Sequence, residues 1–81
     1  MVVSTALASN APQPGHFVVT EFAQLKEPAD TLIAGYTVAV EFVGDQHLHR
    51  RGLDFLSGLA YGTGAKMEKL TDGIYRVTPA R

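Results

Sequence analysis

The chain of 81 residues has no cysteine, which excludes disulfides, thiolate nucleophiles and zinc-finger ligation at once. It has no basic excess either: eight Asp and Glu stand against seven Lys and Arg, for a formal net charge of -1. A nucleic-acid partner would need a basic face, so none is expected, and no RNA- or DNA-binding signature occurs. Apolar runs fall far short of a membrane span. Met1 to Ala11 is mildly apolar but carries no basic residue, so it fails as a signal peptide, a transit peptide or a basic membrane-surface helix. No internal repeat or low-complexity tract is visible.

What is present reads as globular, with 46% apolar and 19% charged residues. The length allows one domain, and a domain this small leaves much of its surface in water. A partner subunit is a common source of extra stability at this size. Residues 1–15, ending in Pro12-Gln13-Pro14-Gly15, are expected to form a flexible lead-in, and residues 16–81 the domain.

His16 to Thr20 is β-branched and aromatic and predicts a first strand. Leu25, Ala29, Leu32 and Ile33 form a helical stripe between Ala23 and Ala34. Pro28 is tolerated if that helix starts near Gln24, because the first turn has free N–H groups. Gly35 is a plausible C-cap. Tyr36 to Val43 predicts the strongest strand, with Tyr36, Val38, Val40 and Phe42 on the core face. A second helix is expected from about Asp45, as N-cap, to Tyr61, striped by Leu48, Phe55, Leu56 and Leu59 and widened by Leu53 and Ala60. Gly52 and Gly58 each cost roughly 1 kcal/mol against Ala inside a helix. They mark either close approach by another backbone or simple tolerance.

Gly62 and Gly64 are expected to break the chain before a third strand, Lys66 to Leu70, which Asp72-Gly73 turns into a fourth, Ile74 to Thr78. A two-residue loop would set Lys69 against Arg76, like charge against like. A three-residue loop, with Gly73 left-handed, instead pairs Leu70 with Ile74, Lys69 with Tyr75, Glu68 with Arg76 and Met67 with Val77. The compatible pairs favour the second. The expected fold class is α/β, a single-domain two-layer sandwich of two helices on a mixed four-stranded sheet in the order β-α-β-α-β-β.

Catalytic chemistry finds little support. His47 and His49, two apart on a helix, point to nearly opposite sides and cannot chelate one metal, so no metal site is expected. His16 reads as a strand-edge residue. Ser57 belongs to no motif with a His and an acid, and the Gly62/Gly64 pair lacks the strand-to-helix setting of a phosphate loop. Glu68 and Asp72 read as a solvated hairpin edge. Arg50-Arg51 followed by Asp54 suggests helix-surface ion pairs at i, i+3 or i+4, or else a grip on an acidic partner.

The stretch Arg50-Arg51-Gly52-Leu53-Asp54-Phe55-Leu56-Ser57-Gly58 resembles a helix motif of the SepF family, in which Arg-Arg leads into Asp-Phe-Leu-Ser-Gly. Tyr61, Gly64, Met67, Lys69 and Leu70 follow at that family's spacing. Asp72 to Pro79 resembles its closing strand, usually Gly-Ile-Phe ending in Thr-Pro, and Phe22 with Glu27 to Asp30 aligns with a helix reading Glu-Ile-Ala-Asp. The resemblance covers roughly residues 16 to 79 and is most specific after Arg50.

This resemblance implies a non-catalytic, cofactor-free homodimer in the cytoplasm at the division site. Such a protein links filaments of FtsZ to the membrane and can assemble into higher polymers. It further implies that Lys69 and Tyr75 bind the C-terminal peptide of FtsZ, through an ammonium for an acidic group and an aromatic face for a Leu or Ile. Gly58 falls at a helix contact between subunits, with Phe55 and Leu59 beside it as expected interface residues. Lys69→Glu combined with Tyr75→Ala is expected to abolish peptide binding and leave the fold intact. The family's N-terminal amphipathic helix is missing here, so membrane contact is expected only through a segment this sequence lacks. Gly52 stands in place of an apolar residue, Ala65 in place of a common Gly and Arg76 in place of an aliphatic residue. The link from the second strand to the second helix is also about one residue short. The competing expectations are a self-assembling structural paralogue that ignores FtsZ, a small-ligand regulatory domain and, weakest, an enzyme.

Overall fold

In a computed structural model, residues 15–80 are described; apart from Gly15, the expected lead-in lies outside them. The elements are β1 (His16–Val19), a 3-10 turn (Phe22–Leu25), α1 (Lys26–Ile33), β2 (Val38–Phe42), α2 (Gln46–Thr63), β3 (Lys66–Thr71) and β4 (Ile74–Thr78). They form one four-stranded sheet in the order β1-β2-β4-β3. β1 runs parallel to β2, and β4 runs antiparallel to both of its neighbours. Both helical crossovers step in the same direction across the sheet. Right-handed connections then place both helices on one face, which yields the expected two layers.

The start of the first helix is more divided than the apolar stripe implied. Gln24 folds its side-chain oxygen back to accept from the N–H groups of Thr20 at 2.6 Å and Glu21 at 3.0 Å, holding a 3-10 turn. The α-helix proper begins at Lys26, leaving buried Pro28 inside its first turn, where no N–H is required. Asp45 caps α2 as expected, accepting from the Leu48 N–H at 2.9 Å. That helix runs through Gly62 and stops at Gly64, so only one of the two expected breakers ends it.

Val19, Leu25, Leu32, Val38, Val40, Phe42, Leu56, Ala60, Tyr75 and Val77 form the core between the layers. Each large apolar side chain buried there contributes about 1.5–3 kcal/mol. Tyr36 is a correction: it precedes β2 and is 65% exposed, so the core face of that strand begins at Val38. Alternation along the strands puts His16, Val18, Glu41, Glu68 and Arg76 on the face without helices.

On that face Arg76 donates to Glu68 Oε1 from Nε at 3.0 Å and from Nη2 at 2.7 Å. The guanidinium holds the Glu68 carboxyl below its ordinary value. With the folded value depressed, the pair's contribution is complete above the unfolded carboxylate value and disappears as pH falls through the folded one. In Glu68→Gln, melting temperature is expected to decline less steeply with acid below pH 4.5 than in the parent. Equal slopes would show that the pair adds nothing.

Candidate functional site

The β3–β4 hairpin pairs Lys66 with Thr78, Met67 with Val77, Glu68 with Arg76 and Lys69 with Tyr75. Three of the four expected pairs are therefore present. The fourth is not: β3 continues to Thr71, which pairs with Ile74, and the register shifts between Lys69 and Thr71. An irregularity at Leu70 thus absorbs the extra residue that the three-residue loop was meant to hold. Gly73 turns the chain at a φ of 81°, left-handed as expected. Lys69 and Tyr75 remain direct cross-strand neighbours, and alternation from Met67 and Val77 puts them on the face that α2 covers.

Cover by α2 treats the two side chains differently. Lys69 stays 58% exposed, with Nζ 3.1 Å from Asp72 Oδ1. The hydrogen bond and charge of Asp72, together with Tyr75, raise the Lys69 pKa and keep its ammonium charged. Tyr75 is only 6% exposed. Its hydroxyl lies 3.0 Å from His49 Nε2, and its ring packs on Phe42 with centroids 6.1 Å apart. His49 also stacks on Phe42, at 5.6 Å between centroids. The expectation that Tyr75→Ala spares the fold conflicts with this burial, because the phenol is a core residue.

At 100° per residue α2 presents distinct sides. Gly52, Leu56 and Ala60 face the sheet and are buried. Arg51 and Phe55 reach the 3-10 turn: the Arg51 guanidinium sits 4.2 Å above the Phe22 ring, and Phe55 meets that ring edge-on at 5.8 Å. Toward β3, Ser57 Oγ lies 3.8 Å from Met67 Sδ. One to three turns earlier on that side, Gln46, His49, Arg50 and Leu53 line an open cleft of about 360 Å³. Among the described residues no carboxylate lines it. A second cleft, of about 330 Å³, lies between the C-terminal ends of the helices and the Pro79-Ala80 segment, and no charged side chain lines it among the described residues.

The expected pairing of Arg50 or Arg51 with Asp54 does not form; no ion pair among the described residues includes any of the three. Of the expected interface residues, Gly58 is open to solvent, while Phe55 and Leu59 are half-buried and pack against the core. The two odd glycines have different reasons. A Cβ on Gly52 would collide with the Phe42 ring, whereas one on Gly58 would meet nothing within 4 Å. His47 is exposed and turned away from His49, and among the described residues no three His, Asp or Glu side chains converge on a metal position. No described helix is long and apolar enough to cross a membrane.

Sequence reasoning weighed His49 only as a metal ligand and missed its bond to Tyr75. A signal existed: His49, Gly52 and Leu56 share one helical side, which marks that imidazole as facing inward.

The element order, the single helical layer and the hairpin tucked under α2 define a small two-layer α/β domain with an open cleft along the first half of α2 that includes Arg50. The sequence profile of the family described as Cell division protein SepF matches residues 16–81. The chain is also similar to Cell division protein SepF 3 of Streptomyces coelicolor, 30% identical over 63 residues, an overlap covering 76% of this chain and 46% of that protein. This chain belongs to the SepF family of cell-division proteins. It spans about half the length of the curated relative it matches.

Proposed function

We propose that this chain is a non-catalytic division adaptor that dimerises and receives the C-terminal peptide of FtsZ at the end of the β3–β4 hairpin. The observation that carries this reading is the direct pairing of Lys69 with Tyr75 beneath the start of α2, in a chain of a cell-division family. Lys69 is the accessible member and offers its ammonium to a peptide carboxylate, in competition with Asp72. Tyr75 forms the floor, and half-buried Leu53 supplies apolar surface in the neighbouring cleft. Dimerisation through α2 is proposed at Gly58, where the bare backbone leaves room for a second helix, with Phe55 and Leu59 at its margin.

Titration of a synthetic FtsZ C-terminal peptide, followed by calorimetry and by mass in solution, tests both parts. Lys69→Glu is expected to weaken binding at least about tenfold, because it sets a like charge against the acidic peptide. It leaves the fold unchanged, since Lys69 lies at the surface. Equal affinity for parent and variant would remove Lys69 from the site, and a monomeric mass would remove the dimer. The burial of Tyr75 favours a second reading, a self-assembling structural paralogue in which that ring serves only the core. Such a protein would polymerise alone and ignore the peptide.

A further inference from the structure

We propose that Arg50 is a second carboxylate-receiving position of this site, so that the bound segment is an acidic peptide held at two cationic points, Lys69 and Arg50. The inference rests on the peptide-docking reading above and specifies the chemistry of the ligand. Arg50 lines the cleft on the β3 side of α2 with Gln46, His49 and Leu53. An Asp four residues after an Arg on a helix lies within reach of it. Here Asp54 makes no ion pair with Arg50, and neither does any other described carboxylate, so no described acidic side chain occupies the guanidinium at the cleft rim.

The cleft is linked to the Lys69–Tyr75 pair through a single residue. His49 lines it, and the same imidazole bonds the Tyr75 hydroxyl at 3.0 Å, while Tyr75 lies opposite Lys69 across the hairpin. The lining combines a guanidinium, an amide at Gln46 and an apolar side chain at Leu53. Planar guanidinium donors match a carboxylate in two parallel bonds, the amide can supply another donor, and Leu53 accepts a neighbouring aliphatic side chain. An uncharged or basic segment would leave Arg50 without a partner. Charge complementarity therefore selects an acidic occupant.

The test compares two peptides: the FtsZ C-terminal peptide, and the same peptide with each Asp and Glu replaced by Asn and Gln. Both are titrated into the parent chain, Arg50→Gln and Lys69→Gln. Arg50 is exposed, so its variant is expected to melt with the parent. The expected result is a loss of about three- to tenfold for the acidic peptide in Arg50→Gln, adding to the loss in Lys69→Gln, with no change for the amide peptide. Equal losses for both peptides, or no loss in Arg50→Gln while Lys69→Gln still weakens binding, would overturn the role of Arg50 and leave the docking reading standing. A parent chain that binds neither peptide would overturn both.

Discussion

Tyr75→Ala is expected to unfold this domain or bring it close to unfolding, while Tyr75→Phe folds. The ring is 6% exposed and contacts Phe42 and His49, so truncating it leaves a cavity at the centre of the hairpin–helix contact. Losses for such truncations run at about 3–5 kcal/mol. Natural domains hold only about 5–15 kcal/mol in total, and one this small stands at the low end. Tyr75→Phe keeps the packing and removes only the bond to His49, for a loss of about 0.5–1.5 kcal/mol. Urea denaturation of both variants checks the pair. Equal midpoints for Tyr75→Ala and the parent would mean the ring is not core. The practical consequence is that loss of peptide binding in Tyr75→Ala carries no information about the site, whereas Tyr75→Phe and Lys69→Glu do.

The second large effect belongs to a glycine. Gly52→Ala is expected to lower stability by about 1–3 kcal/mol, although Ala is the better helix former by roughly 1 kcal/mol. The added methyl would strike Cε1 and Cζ of Phe42. That ring cannot swing aside, because it is 8% exposed and boxed between His49 and Tyr75. At about 4–8 °C per kcal/mol for a domain of this size, the melting temperature should fall by roughly 5–20 °C. Gly58→Ala is the internal control: its methyl meets nothing within 4 Å among the described residues, so propensity should raise the melting temperature of the isolated subunit. Similar shifts in the two variants would disprove the close packing at Gly52. Because Phe42 also carries His49 and Tyr75, a displaced ring would disturb the docking site from beneath.

Much of this was legible in the sequence. β-branched runs located β1, β2 and β4, and the stripe of Leu48, Phe55, Leu56 and Leu59 located α2. Cross-strand charge compatibility chose a hairpin register in which Lys69 faces Tyr75, and that pair is present. The errors came where local pattern met a tertiary choice. Tyr36 fits the period of β2, yet the sheet begins pairing only at Val38 and leaves the ring outside. Arg50 and Asp54 have ion-pair spacing, but Arg51 goes to the Phe22 ring and Arg50 to the cleft.

The residues alone determined the order of elements, the parity of β2 and the sheet side shared by Lys69 and Tyr75. These follow from short-range periodicity, which a one-residue shift would invert. Only the assembled layers decided depth: that α2 lies over Tyr75 and seals it, that Gly52 rather than Gly58 is pressed by a ring, and that Arg50 lines a cleft with no carboxylate among its described residues. Depth depends on which distant segment crosses a given face, and no local spacing encodes that crossing.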